Sequence, residues 1–298
     1  MKKLMVLASA AGLAGVAMGV SSGVVGYTTR EMNEGFRLLS IPFQSAKEGY
    51  NINDVAPYTS TSEADWTAQR PARRMDTAKL TAPQMQVQIV GGTSDGTYQT
   101  WYYITNAYYE DPETGEVSYI PGWASGATGA YATTGETIPG VAVWFKDSDN
   151  DDKTLTTLGG VIDDTVEITC KEAFRLRAPA YPAELDINSG KMTFNEDFDT
   201  TAEADWTAQR PARRMDTAKL TAPQIQIQVI GGASDGTYQT YYYINNAYYE
   251  DPGTGEVSYI PGWATGTTGA YAGDAIVPVN GAFWIKGTTS DFTLTLNP

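Results

Sequence analysis

Histidine is absent from this chain, and cysteine occurs once, at Cys170. Without imidazole there is no Ser-His-Asp triad, no histidine base and no His-ligated metal centre. A single thiol excludes an intramolecular disulfide, a cysteine-cluster metal site and dithiol redox chemistry. Basic residues are scarce as well: 20 Lys+Arg against 35 Asp+Glu give a formal charge of −15. A chain this acidic repels phosphate backbones and anionic lipid, so nucleic acid is excluded as a partner. Apolar runs long enough to approach a membrane span are confined to the N-terminus, so no membrane insertion of the mature chain is expected. Carboxylates alone could still serve a glycosidase, and Asp65, Asp76, Glu110, Asp111 and Glu116 occur in both halves of the chain. They sit mostly in turn-like sequence, with nothing to set the separation that paired carboxylates need. No enzymatic activity and no catalytic cofactor are therefore expected.

What the chain has in abundance is repetition. Glu63–Tyr131 returns as Glu203–Tyr271, with ten differences in 69 positions. Four of the ten (Met85/Ile225, Val87/Ile227, Ile89/Val229 and Val90/Ile230) exchange one apolar residue for another inside a single short run. A packed face tolerates such swaps when volume is kept. The copy extends outward: Glu34–Phe43 aligns with Glu172–Tyr181, and Val141–Leu155 with Gly281–Leu294. A copy at fixed spacing means two units of one fold, at residues 23–160 and 161–298. Their short join restricts mutual orientation.

The N-terminus reads as a secretory signal over residues 1–22. Lys2 and Lys3 precede an apolar Ala/Gly-rich core, Leu4–Met18, and small residues follow. Cleavage would bring the formal charge to −17 and place the mature chain outside the inner membrane: secreted, extracellular or on the outer surface, with the periplasm as the other destination. Charge of this size keeps an exported protein dispersed.

The fold class expected is all-β, as two tandem antiparallel β-sandwich or jelly-roll-like domains. Gln84–Val90 alternates glutamine with apolar residues at period two, the mark of a half-buried strand. Tyr98–Tyr109 is dense in β-formers. Between it and the following strand, Glu110–Glu116 reads as a hairpin loop in which Gly115 takes the left-handed conformation. Further strands are expected at Val24–Arg30, Phe36–Ile41, Val141–Lys146 and Thr154–Leu158. Glu63–Ala78 has some helical character, interrupted by Pro71.

Four groups of residues are candidates for binding. The repeated aromatics Trp101, Tyr103, Tyr109 and Trp123, with Tyr241, Tyr243, Tyr249 and Trp263, offer rings for sugar faces or a protein contact. Neighbours on a strand point to opposite faces, so Tyr102 and Tyr103 cannot both be core. A basic knot, Arg70, Arg73 and Arg74 with Arg210, Arg213 and Arg214, pairs with the chain's own Asp65 or Asp76, or docks on a neighbouring acidic loop. Asp147, Asp149 and Asp151 alternate as in a calcium loop, but Leu158 stands where its closing Glu belongs, so a solvated acidic tip is favoured over bound calcium. Cys170 aligns with Met32, which argues for a buried apolar slot over a reactive thiol.

Three segments carry a resemblance: Val24-Val25-Gly26-Tyr27 after the signal, Gly35–Pro42, and Gly281–Lys286 before a closing Thr-Leu-Thr-Leu strand. On these the chain resembles a loosely defined group of exported β-repeat proteins of Gram-negative bacteria. The resemblance implies export and a β fold and carries no catalytic residues. The function expected is that of a non-enzymatic secreted or cell-surface structural protein whose partners are its own copies or other surface proteins. The alternative is a carbohydrate-binding module pair that holds a glycan on the repeated aromatics.

Overall fold

The computed structural model describes residues 25–32, 35–44, 50–51, 82–132, 136–137, 140–147, 153–170, 173–194, 222–287 and 291–298. Every regular element among them is a strand, and all strand pairings are antiparallel. The first repeat supplies β1 (Val25–Met32), β2 (Gly35–Leu39), β3 (Phe43–Gln44), β4 (Tyr50–Asn51), β5 (Gln84–Gln88), β6 (Tyr98–Glu110), β7 (Val117–Ser125), β8 (Glu136–Thr137), β9 (Val143–Asp147) and β10 (Lys153–Val161). The second supplies β11 (Val166–Cys170), β12 (Arg175–Arg177), β13 (Leu185–Asp186), β14 (Met192–Phe194), β15 (Gln224–Gln228), β16 (Tyr238–Glu250), β17 (Val257–Thr265), β18 (Ile276–Val277), β19 (Phe283–Lys286) and β20 (Phe292–Leu296).

Each repeat builds a five-stranded, a three-stranded and a two-stranded sheet. In the first these run β2-β9-β5-β6-β7, β1-β10-β3 and β4-β8; in the second, β12-β19-β15-β16-β17, β11-β20-β14 and β13-β18. The segments expected as strands are strands, with ends displaced by a few residues. The expected signal, residues 1–22, and Glu63–Ala78 lie outside the described residues.

Alternation in β5 works as its pattern demands. Met85 and Val87 are buried, Gln84 and Gln86 half-buried. Hydrogen bonding to β6 on one side and β9 on the other sets Met85 beside Trp101 and Phe145. Beneath this face lies the first core, with Leu39, Ile41, Phe43, Trp123 and Leu155. Its counterpart gathers Ile225, Ile227, Trp263, Phe283, Phe292 and Leu296, and takes in Val141 from the first repeat. Full burial of a Leu, Ile or Phe side chain stabilises by roughly 1.5–3 kcal/mol relative to exposure, so these rows dominate the favourable side of folding.

Two turns shape each five-stranded sheet. After β6, Asp111 accepts hydrogen bonds at Oδ1 from the backbone of Glu113 (2.8 Å) and Thr114 (2.9 Å), and Gly115 takes φ +69°. After β5, Gly91 N–H donates to Asp95 Oδ1 at 2.5 Å, and Gly96 N–H returns to Ile89 O at 2.8 Å. Pro121 lies in β7, the sheet's outer strand, where a missing donor costs little. Opposite it the β6–β7 register shifts between Ile104 and Ala107. This bulge lets the 13-residue β6 bend.

Candidate functional site

The two repeats touch through a surface that is its own complement. Gln88 Oε1 accepts from Leu176 N–H at 2.9 Å, and Gln228 Oε1 accepts from Leu38 N–H at 2.7 Å. Arg175 Nη2 donates to Asp95 Oδ2 at 3.0 Å, while Arg37 Nε and Nη2 donate to Asp235 Oδ2 at 3.1 and 2.7 Å. Ala178 N–H donates to Gly140 O (2.9 Å), and Ser40 N–H to Asn280 O (3.1 Å). Leu38, Leu176, Ala142, Ala178 and Ala282 form the apolar centre, flanked by Trp144 and Trp284 edge to face at 6.1 Å. Each of these contacts exchanges with its mate when the repeats are exchanged, which is the geometry of an isologous two-fold interface.

Local sequence explains how the pieces are delivered. The alternation that buries Met85 turns Gln88 outward with Gln84 and Gln86, but at the end of the strand that meets the other repeat. The Gly91–Gly96 turn leaves one Asp95 oxygen for its own backbone and the other for Arg175. Gly96 lies so near the Arg175 guanidinium that a Cβ would come within 2.9 Å of it, and its φ is +82°. Gly140 and Asn280, which supply the matching carbonyls, both adopt positive φ (81° and 61°), and Asn is one of the side chains that tolerates this region.

Two buried arginines complete the contact. Arg30, on β1, donates from Nη1 to Leu38 O and, at 3.1 Å, to Asn280 O. Arg177, on β12, is fully buried and donates from Nη1 to Leu176 O at 2.8 Å and to Gln88 Oε1 at 3.3 Å, and from Nη2 to Thr169 O at 3.2 Å. Burial pulls Arg30 down to about 10, partly offset by the charge of Asp235, so it remains a cation at neutral pH.

The sequence candidates fall elsewhere. Trp123 and Trp263 are 1 % exposed and Tyr241 is 8 %, so these three are core residues and not surface ones. Trp101 and Tyr103 pack half-buried on the first core, Tyr103 edge to face with Trp123 at 5.6 Å, and Tyr243 repeats this on Trp263 at 5.6 Å. Tyr109 and Tyr249 are half-buried against Tyr131 and Tyr271 at 5.8 and 5.7 Å. The expected aromatic face is therefore mostly the inward face, because Trp101 and Tyr103 share the side of β6 that pairs across to Met85 and Trp123. Tyr102 and Tyr242 point the other way, towards Gln84 and Gln224.

Arg70, Arg73, Arg74, Arg210, Arg213 and Arg214 lie outside the described residues, as do Asp149, Asp151 and the side chain of Asp147. Among the described residues no group of three or more His, Cys, Asp or Glu is placed to hold a metal. Cys170 is completely buried, and burial raises its thiol pKa. The arginines that matter at the contact were missed by sequence reading; their signal was the retention of Arg37 as Arg175 within an otherwise apolar strand.

On the face of β5 and β6 that carries Gln84 and Gln86, beside the contact, lies a shallow depression of about 500 Å³ lined by Gln84, Gln86, Thr100, Trp101, Tyr102 and residues 125–127, among others. None of its described lining residues is charged. Comparisons with family models, with curated proteins and with solved structures each returned no match.

Proposed function

We propose that this chain is a non-enzymatic exported structural or interaction protein: two tandem β-sandwich units locked into a pseudo-two-fold scaffold that presents the same sheet face twice. The reciprocal contact set around Gln88–Leu176 and Gln228–Leu38 carries this reading. A mutual orientation held by paired ion bridges, paired amide bonds and a common apolar centre suits a part that must keep two surfaces at a set spacing. Bivalency of this kind raises avidity for a repetitive partner without any new contact. The missing imidazole and the burial of the only thiol support a binding role over a catalytic one.

Export, surface placement and the absence of turnover are tested together. Intact producing cells treated with a non-permeant label should yield a labelled mature chain lacking residues 1–22. The purified chain should leave ester, peptide and glycoside substrates unchanged. Recovery of the chain inside the inner membrane, or turnover of any substrate class, overturns the reading.

A further inference from the structure

We propose that the depression on the Gln84–Gln86 face of β5 and β6, together with the matching residues of β15 and β16, binds a neutral glycan. The inference rests on the reading of the chain as a two-faced binding scaffold and names the partner chemistry of that face.

Three observations carry it. First, the lining is an array of uncharged donors and acceptors. Among the described residues, no intramolecular side-chain hydrogen bond engages Gln84, Gln86, Thr100 or Tyr102, whereas Gln88 on the same strand is fully engaged. Primary amides and hydroxyls that both donate and accept match the hydroxyls of a sugar. Lys146, on the same face, is paired across from Gln84 and holds its ammonium over the Phe36 ring at 5.5 Å. In a chain of formal charge −15, an uncharged hollow neither attracts a polyanion nor answers a cation.

Second, the floor is shaped. Gly126 N–H is tied to Thr100 O at 2.8 Å, and a Cβ at Gly126 would come within 2.8 Å of that oxygen and 3.2 Å of the Tyr102 ring. Glycine there keeps the hollow open over the tyrosine. At about 500 Å³ it has room on the order of a disaccharide.

Third, the amide and tyrosine set of the hollow recurs in the second repeat while other lining residues change, as Trp101/Tyr241, Ser125/Thr265 and Ala127/Thr267. Met85/Ile225 and Val87/Ile227 point inward, while Gln84, Gln86, Thr100, Tyr102 and Gly126 recur unchanged as Gln224, Gln226, Thr240, Tyr242 and Gly266. Substitutions on a merely solvated face are nearly neutral and free to drift. Amides and a tyrosine hydroxyl kept while residues around them change point to a shared ligand. A peptide fits less well. β5 is hydrogen-bonded on both sides, to β6 and β9, so it offers no edge for an added strand.

Affinity electrophoresis of the mature chain through gels containing laminarin, mannan, xyloglucan or dextran tests the proposal, with hyaluronan as the polyanion control. Retardation by at least one neutral polymer is expected. Gln86→Ala/Gln226→Ala should weaken it at least tenfold with unchanged circular dichroism and Tm, and Gln84→Ala/Gln224→Ala should do the same. Gln86→Ala alone should halve the number of sites. No retardation by any neutral polymer, retardation indifferent to both double variants, preference for hyaluronan, or glutamine-dependent capture of a protein instead would each overturn it. If the chain stays surface-exposed and inert while glycan binding fails, this inference alone falls. Cleavage of the polymer would bring down the non-enzymatic reading as well.

Discussion

Arg30 and Arg177 bring their guanidinium groups to equivalent carbonyls from non-equivalent strands. Arg30 reaches Leu38 O from β1, whereas Arg177 reaches Leu176 O from its own strand, β12. Position 30 aligns with Ile168, and position 177 with Leu39, so arginine and aliphatic residue have changed places between the repeats. One cation and one aliphatic side chain are kept at each site, and only the strand of origin differs. Arg177→Leu alone should therefore cost about 1–3 kcal/mol, because Leu176 O and Thr169 O lose a buried donor. Adding Ile168→Arg, which copies the first repeat's solution, should recover at least half of that loss in urea unfolding. Strictly additive losses would show that the two sites are not interchangeable.

The ion pairs are shielded enough to matter. Side-chain exposure is 9 % and 4 % for Arg175 and Asp95, and 14 % for both Arg37 and Asp235. Asp95→Asn keeps an oxygen for Gly91 N–H while removing the charge that faces Arg175. It should lower stability by about 1.5–3 kcal/mol, the range for a hydrogen bond to a charged group, as should Asp235→Asn. Glu113→Lys, at an exposed turn tip that is already glycine in the second repeat, should stay within about ±0.5 kcal/mol. Urea midpoints of the three variants check the ranking.

The two sides of β6 should respond differently to substitution. Trp123→Ala removes a fully buried ring that packs edge to face on Phe145 at 6.1 Å, and should cost about 3–5 kcal/mol. Tyr102→Phe with Tyr242→Phe should leave the Tm nearly unchanged, since the hydroxyls have no intramolecular partner among the described residues. A large loss from the phenylalanine pair would mean that these hydroxyls are structural.

Acid should loosen the β6–β7 and β16–β17 hairpins. Backbone N–H groups of Thr114 and Glu113 hold the Asp111 pKa below the usual carboxylate range, and Thr254 and Gly253 do so for Asp251. A carboxylate lowered by folding contributes stability that is complete above its unfolded pKa and lost as pH falls through the folded one. Asp111→Asn/Asp251→Asn keeps the acceptor oxygen and removes the titration. Its Tm should fall less steeply below about pH 4 than that of the parent chain. Parallel curves would show that these aspartates do not contribute.

Much of the strand pattern was readable because it is local. Gln84–Gln88 declares period two in its own residues, and Gly115 marks its turn by needing positive φ. Which face of β6 turns inward depends on a count through the Gly91–Thr97 turn, where pairing of Gln88 with Tyr98 puts Met85 beside Trp101. Without that register, a ring-rich strand shows two aromatic faces of equal merit, and Trp101 and Tyr103, the rings offered for binding, lie on the first core. The contact between repeats was harder still. Gln88 is chemically identical to Gln84 and Gln86, and only the approach of Leu176 from 88 residues away distinguishes it.

The reciprocal contact has a genetic consequence. In a dimer of identical subunits, every substitution at a two-fold interface appears twice, so an arginine introduced on one side arrives on the other as well. Once both halves lie in one chain, each position mutates singly. Arg177 thus stands opposite a mate that is Leu39, and Asn280 opposite one that is Gly140. Two halves in one chain can thereby specialise one at a time, and the buried seam already carries such unmatched pairs.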